Sequence, residues 1–155
     1  MNKKLILYNG PTSPFGRKVK IVSIVHEIDL EEKIINVYEA DFLDKSNPLR
    51  KIPTLLIDNL AIIDSDNICL YLDSIGNNKS LFPKDNYWQI MSLTSLAKGL
   101  MEAVLERFME LSRPKKNKGK SFKPFIKINM IILPVISESK RCVIQCTSNS
   151  NLIHC

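Results

Sequence analysis

Two apolar runs, Thr54–Ile57 and Leu60–Ile63, flank the dipeptide Asp58-Asn59. A two-residue polar break between segments of strand length signals a β-hairpin. The middle of the chain must therefore supply an antiparallel pair, and its neighbours narrow the fold further. Upstream, residues 4–9 are apolar and stop at Asn9-Gly10-Pro11, the pattern of a buried strand ended by a turn. Ile21, Ile24, Val25 and Ile28 recur at the i, i+3, i+4, i+7 spacing of one helix face. This predicts a helix over 14–27, with Ser13 as its N-cap and Pro14 in the first helical position. Residues 33–37 read as a second strand and 40–47 as a polar stretch with room for a turn of helix. After the hairpin, Ser65 is placed to cap a helix whose inner face carries Ile68, Leu72 and Ile75, ended by Gly76-Asn77-Asn78. The order is β-α-β and then β-β-α, an α/β fold.

Residues 79–86 form a polar linker around Leu81-Phe82-Pro83, and a longer helix is expected from Tyr87 to Leu111. Its stripe is Leu93, Ala97, Leu100, Val104, Phe108 and Leu111; Gly99 weakens it by ~1 kcal/mol relative to alanine. Composition changes abruptly after Pro114. The net charge of +6 divides into 14 Lys+Arg against 15 Asp+Glu up to that residue, and 8 against Glu138 alone beyond it. A nucleic-acid reading would rest on this tail, which has no recognition motif and only Phe122 and Phe125 as aromatics, so no nucleic-acid partner is expected. Residues 115–155 are expected to be a poorly ordered basic tail, with the composition of a truncated or out-of-frame coding sequence. Cys69 stands apart from Cys142, Cys146 and Cys155, and there is no Cys-x-x-Cys. With His154, the tail cysteines match no standard zinc spacing, so no metal is expected. No run approaches the ~20 apolar residues of a membrane span. Leu5 to Tyr8, after Lys3-Lys4, is shorter than the ~7–15 residues of a signal h-region. A cytoplasmic protein without a membrane partner is expected.

Three segments carry more than fold information: Thr12-Ser13-Pro14-Phe15 with Arg17-Lys18-Val19, then Asn47-Pro48-Leu49-Arg50-Lys51-Ile52-Pro53-Thr54-Leu55, then Asp64-Ser65-Asp66-Asn67-Ile68. In this order and spacing they resemble the amino-terminal domain of glutathione S-transferases, and they are similar to small bacterial, serine-type members. The helix after the linker resembles the start of that family's all-helical second domain. The resemblance implies a thioredoxin-like β-α-β-β-β-α domain over 1–78 and a linker over 79–86. The first helix of an incomplete α-helical domain would follow over 87–114.

It also implies a site. A helix amino terminus favours an anion through its free N–H groups and macrodipole. A hydroxyl there can donate to a bound thiolate and lower the thiol's pKa. In serine-type members that residue falls on Ser13; Tyr8, at the end of the first strand, is the alternative. Each has a plainer reading, Ser13 as a cap and Tyr8 as a packed aromatic. Phe15 and Lys51 would line the glutathione site, although Lys51 also reads as a solvated loop lysine. Ile52-Pro53 falls where the family has a cis-proline whose preceding backbone pairs with the ligand like an added strand; otherwise it reads as the start of an edge strand. Asp64 and Ser65 would take the γ-glutamyl end, or serve only as a helix cap. Ser13 and Gly16 stand where redox relatives have two cysteines, so this helix cannot form a disulfide. The implied function is binding of glutathione, as co-substrate or ligand, and activation of its thiol toward an electrophile. A non-catalytic binding or interaction module is the alternative, and a homodimer is the expected assembly.

Overall fold

The structure, a computed structural model, describes residues 4–114. The expectations for the basic tail and its cysteines lie outside the described residues. Four strands form one sheet in the order β2-β1-β3-β4: β1 is Leu5–Asn9, β2 is Glu31–Ile34, β3 is Thr54–Ile57 and β4 is Leu60–Ile63. β2 runs parallel to β1, while β3 is antiparallel to both β1 and β4. Helices α1 (Pro14–Val25) and α2 (Ser65–Ile75) pack on each other and share the core with one sheet face. Leu5 and Leu7 of β1, with Leu55 and Ile57 of β3, meet Val19 and Val22 of α1 and Ile68, Cys69 and Leu72 of α2. Each large aliphatic side chain buried there is worth about 1.5–3 kcal/mol. A 3-10 turn over Asp41–Lys45 places Leu43 in the interior, and Phe42 lies beside Tyr8.

Three expectations are corrected. First, the stripe of α1 faces the wrong way: Ile21 is 56% exposed and Ile24 72%, and Val25 is exposed too. The buried face is Val19, Val22, Ser23 and His26, one residue step around the helix, because the sheet accepts that row. Of the predicted four, Ile28 alone packs against the core. Second, the second strand is Glu31–Ile34, not 33–37. It is an edge strand with charged side chains, and Glu31 and Glu32 pair with Lys4 and Lys20. Third, the cap of α2 is Asp64, and Ser65 is its first helical residue. Ile75 is exposed, which leaves Ile68 and Leu72 on the inner face.

Two glycines are fixed by close approach. A Cβ on Gly16 would lie 1.7 Å from Asn9 Oδ1, so α1 can descend onto β1 only with glycine there. A Cβ on Gly76 would lie 2.3 Å from His26 Nδ1. His26 is fully buried with Nε2 2.9 Å from Asp73 Oδ1. A carboxylate only accepts, so Nε2 is the donor in this contact. Asp73 also accepts from the Ser80 hydroxyl and the Leu81 N–H, which ties the segment after α2 back onto that helix. Helix α3, Tyr87–Ser112, has no buried residue. Among the described residues, the boundary between two units of the chain falls within α3, after Met101.

Candidate functional site

Strand polarity gathers the candidate residues. β4 runs parallel to β1, since both are antiparallel to β3. The carboxyl ends of β1 and β4 and the amino end of β3 therefore share one edge of the sheet. The register makes this concrete: Tyr8 pairs with Thr54, and Thr54 with Ile63. α1 starts five residues after Asn9, and α2 directly follows Asp64, so both helices open toward this edge. Pro53 immediately precedes Thr54, between them. Two contacts tie the pieces together. A Cβ on Gly10 would meet Ile52 Cδ1 at 2.6 Å and Ser13 Cβ at 4.0 Å, so Ile52 and the start of α1 flank the same glycine. Lys18 of α1 forms an ion pair with Asp66 in the first turn of α2.

Ser13 caps α1, its Oγ accepting from the Gly16 N–H at 3.1 Å. One lone pair is thus used, and the hydroxyl proton is left to donate outward. No acidic residue stands in the first turn of α1 to neutralise its positive end. Ser13 also lines a groove of about 400 Å³ with Asn9, Arg17, Ile21 and Ile24; Ile52, Asp64 and Ser65 are not among its walls. Tyr8 is half-buried, its ring centroid 5.3 Å from that of Phe42, as a packed aromatic would be. Phe15 is half-buried and Lys51 is exposed.

The Ile52–Pro53 peptide bond is cis. Among the described residues the backbone N–H and C=O of Ile52 make no hydrogen bond. Asn47 builds the loop that presents them. It is 1% exposed, donates from Nδ2 to the Lys51 carbonyl and to Thr54 Oγ1, each at 2.8 Å, and accepts from the Leu49 N–H. Sequence reasoning gave Asn47 no role of its own. The dipeptide Asn47-Pro48, which favours turn initiation, was the available signal.

At α2, Asp64 has φ 73°, a conformation that costs a non-glycine residue about 1–3 kcal/mol and is concentrated at functional sites. Its Oδ1 accepts from the Asp66 N–H at 2.8 Å. Its Oδ2 lies 2.6 Å from Lys98 Nζ, which also reaches Asp66 at 3.3 Å. Burial pushes the Asp64 carboxyl up, but the bonds from Lys98 and the Asp66 N–H outweigh it and hold it below the usual range. The same pairing raises the Lys98 ammonium. Ser65 is 4% exposed and its Oγ has no partner among the described residues. Lys18 and Asp66 were named in the sequence only as members of the motif segments, with no role of their own, and Lys98 was not named. Cys69, the one described cysteine, is buried in the core, which pushes its thiol up to about 11 and makes it a poor nucleophile. Among the described residues no cluster of His, Cys, Asp and Glu could hold a metal, and no helix is long and apolar enough to cross a membrane.

Residues 7–80 match the family described as glutathione S-transferase, N-terminal domain. Glutathione S-transferase D7 of Drosophila melanogaster is 36% identical over 87 residues, covering 52% of this chain and 39% of the fly protein. A probable maleylacetoacetate isomerase of Caenorhabditis elegans is 30% identical over 87 residues, covering 54% of this chain and 41% of its own. Among solved structures, a glutathione S-transferase of Methylobacillus flagellatus with glutathione bound superposes with a TM-score of 0.70 at 29% identity, covering 76% of this chain and 60% of that one. The chain thus spans about two fifths of the length of these curated relatives. With the observed strand order and helix placement, these matches make residues 7–80 a glutathione S-transferase amino-terminal domain of thioredoxin-like fold.

Proposed function

We propose that this protein binds glutathione at the shared sheet edge and activates its thiol for attack on an electrophile. The observation that carries the reading is the gathering of three complementary features around the Ile52–Pro53 turn. The backbone of Ile52 is unpaired, Ser13 presents a free O–H proton at an uncompensated helix end, and Ser65 holds an unpartnered hydroxyl at a second helix end. Solved relatives that hold glutathione support the ligand's identity.

In this reading Ile52 pairs with the cysteinyl part of glutathione as an added strand would. Ser65 and the amino end of α2 take the γ-glutamyl carboxylate, Asp64 takes the ammonium, and Lys51 and Phe15 flank the rest. The thiol then falls at Ser13. A donated hydrogen bond and the positive end of α1 stabilise the thiolate over the thiol, which lowers its pKa and raises the fraction of nucleophile at neutral pH. Attack forms a carbon–sulfur bond and expels the electrophile's leaving group, or adds across an activated double bond. The family reading extends to a homodimer in the cytoplasm, checked by sedimentation of the purified chain and by its location in cells.

Calorimetric titration of the full chain with glutathione tests the proposal. Ser65→Ala should weaken binding, whereas Ser13→Ala should leave it nearly intact and raise the bound thiol's pKa, read from thiolate absorbance. If Tyr8→Phe raises that pKa and Ser13→Ala does not, the activating residue is Tyr8. Binding with no conjugation of any electrophile would favour the non-catalytic module.

A further inference from the structure

The network at the start of α2 has a property that the proposed glutathione site does not use. Two carboxylates, Asp64 and Asp66, meet two ammonium groups, Lys18 from α1 and Lys98 from α3. The oxygens are divided: Asp64 Oδ1 is committed to the Asp66 N–H, Asp66 Oδ1 to Lys18, and Asp64 Oδ2 to Lys98 at 2.6 Å. Lys98 is about one quarter exposed, at 28%, so it is seated rather than waving in solvent. Beside it, the Ser65 hydroxyl is buried and without a partner.

The γ-glutamyl end of glutathione carries an ammonium and a carboxylate on one carbon. If its carboxylate goes to Ser65 and the α2 amino end, its ammonium needs the nearest carboxylate oxygen that faces the ligand. Of the two Asp64 oxygens, Oδ1 is committed to the Asp66 N–H, which leaves Oδ2, and an ammonium already occupies it. We infer that Lys98 is an internal stand-in for the ligand's α-ammonium: it holds Asp64 while the site is empty, and glutathione must displace it to bind. This inference rests on the glutathione reading above.

Two consequences follow from the chemistry. The exchange replaces one N⁺–H···O⁻ contact by another, so the ligand's ammonium gains little net attraction to Asp64, and affinity is held down by the competitor. Selectivity rises in compensation, because a ligand without a free α-amino group offers nothing to replace Lys98. The device makes Lys98 a specificity-determining residue on a helix that contributes no buried side chain to the core.

The test compares full-length wild type, Lys98→Met and Lys98→Arg by calorimetry against glutathione and against N-acetylglutathione, blocked at the γ-glutamyl amine. Lys98→Met should bind glutathione about fivefold tighter, the order expected when a partly exposed ion pair no longer competes. Its affinity for the blocked ligand should rise less. Lys98→Arg keeps the charge and the fold and offers a forked donor, so it should bind glutathione no tighter than wild type. Weaker or equal binding by Lys98→Met would overturn the inference and make Lys98 a ligand contact or a bystander. If Lys98→Met does not fold, tighter binding by Lys98→Arg than by wild type overturns it equally. If none of the three proteins binds glutathione, the site reading itself fails, which is a different result from binding without the predicted order.

Discussion

The two helix ends that meet at the sheet edge are built in opposite ways. α1 begins with a neutral serine cap, has no acid in its first turn, and is followed by Arg17 and Lys18. α2 begins with Asp64 and Asp66, and two lysines are drawn in to pair with them. Both helices present the same half-charge of positive potential. At α1 that potential is left for an outside anion, while at α2 the chain meets part of it with its own carboxylates and leaves the Ser65 hydroxyl unpartnered beside them. The first suits a thiolate, a bare negative charge generated in place. The second suits a zwitterion, which needs both a donor surface and an acceptor oxygen.

The largest expected effect comes from the loop seated between these ends. Asn47→Ala removes three hydrogen bonds from a buried site and leaves the Lys51 carbonyl without its Asn47 donor. A loss of about 2–3 kcal/mol is expected, read as a lower urea midpoint, together with weaker glutathione binding. Stability unchanged from wild type would mean that the loop is held by the sheet and not by Asn47. Next comes the seating of α1. Gly16→Ala forces a Cβ against Asn9, whose amide is buried and also donates to Glu32 at 2.8 Å. Overpacking should cost about 1–3 kcal/mol, beyond what alanine returns in helix propensity. The double variant Asn9→Ala, Gly16→Ala should recover part of the loss, and strict additivity would show that the two positions do not touch.

The serines sharpen the comparison at a smaller scale. Ser13 Oγ caps α1, so Ser13→Ala should cost about 0.5–2 kcal/mol. Ser65 Oγ has no partner, so Ser65→Ala should leave the urea midpoint almost where it is and act on ligand binding alone. The expected pattern is crossed: one serine matters to stability and to the thiol's pKa, the other to affinity. A Ser65→Ala protein as destabilised as Ser13→Ala would show that its hydroxyl bonds within the protein after all.

How much of this was legible in the sequence depends on what each residue must satisfy. The hairpin and β1 were readable because short apolar runs between turn residues admit few other structures. The order of elements followed, and with it the edge where the candidate residues gather. The buried face of α1 was not readable: the Ile21, Ile24, Val25 row and the Val19, Val22, Ser23, His26 row share one period, and only the sheet decides between them. β2 was misplaced because its edge-strand carboxylates, Glu31 and Glu32, are met by Lys4 and Lys20, contacts that no local pattern reports. Ser13 was legible as a helix cap, and the capping pattern put the α2 cap one residue late, on Ser65 instead of Asp64; the site roles of Ser13, Asp64 and Ser65 came only through family resemblance. Lys98 left no trace, since a lysine 34 positions from its partner looks like any solvated lysine until the helix that carries it is placed.

The smallest effect separates the two helix ends by acid. The Asp64 carboxyl is held below its ordinary range: burial raises it, but Lys98 and the Asp66 N–H lower it further. A depressed carboxyl contributes stability that is present above its unfolded value, about 3.9, and lost as pH falls through the lower folded value. Asp64 is 38% exposed, so solvent screening limits this to under about 1 kcal/mol. Asp64→Asn isolates the charge, because asparagine caps a helix as well as aspartate does. The variant should be slightly less stable than wild type at pH 7, and the gap should close as the pH is lowered to about 2–3. Ser13→Ala serves as the contrast: no carboxylate stands at the start of α1, so its deficit should stay constant over the same range. Urea titrations at several pH values read both. A gap for Asp64→Asn that persists undiminished in acid would assign its cost to the strained cap geometry at φ 73° and not to the ion pairs, and would remove the electrostatic difference between the two helix ends.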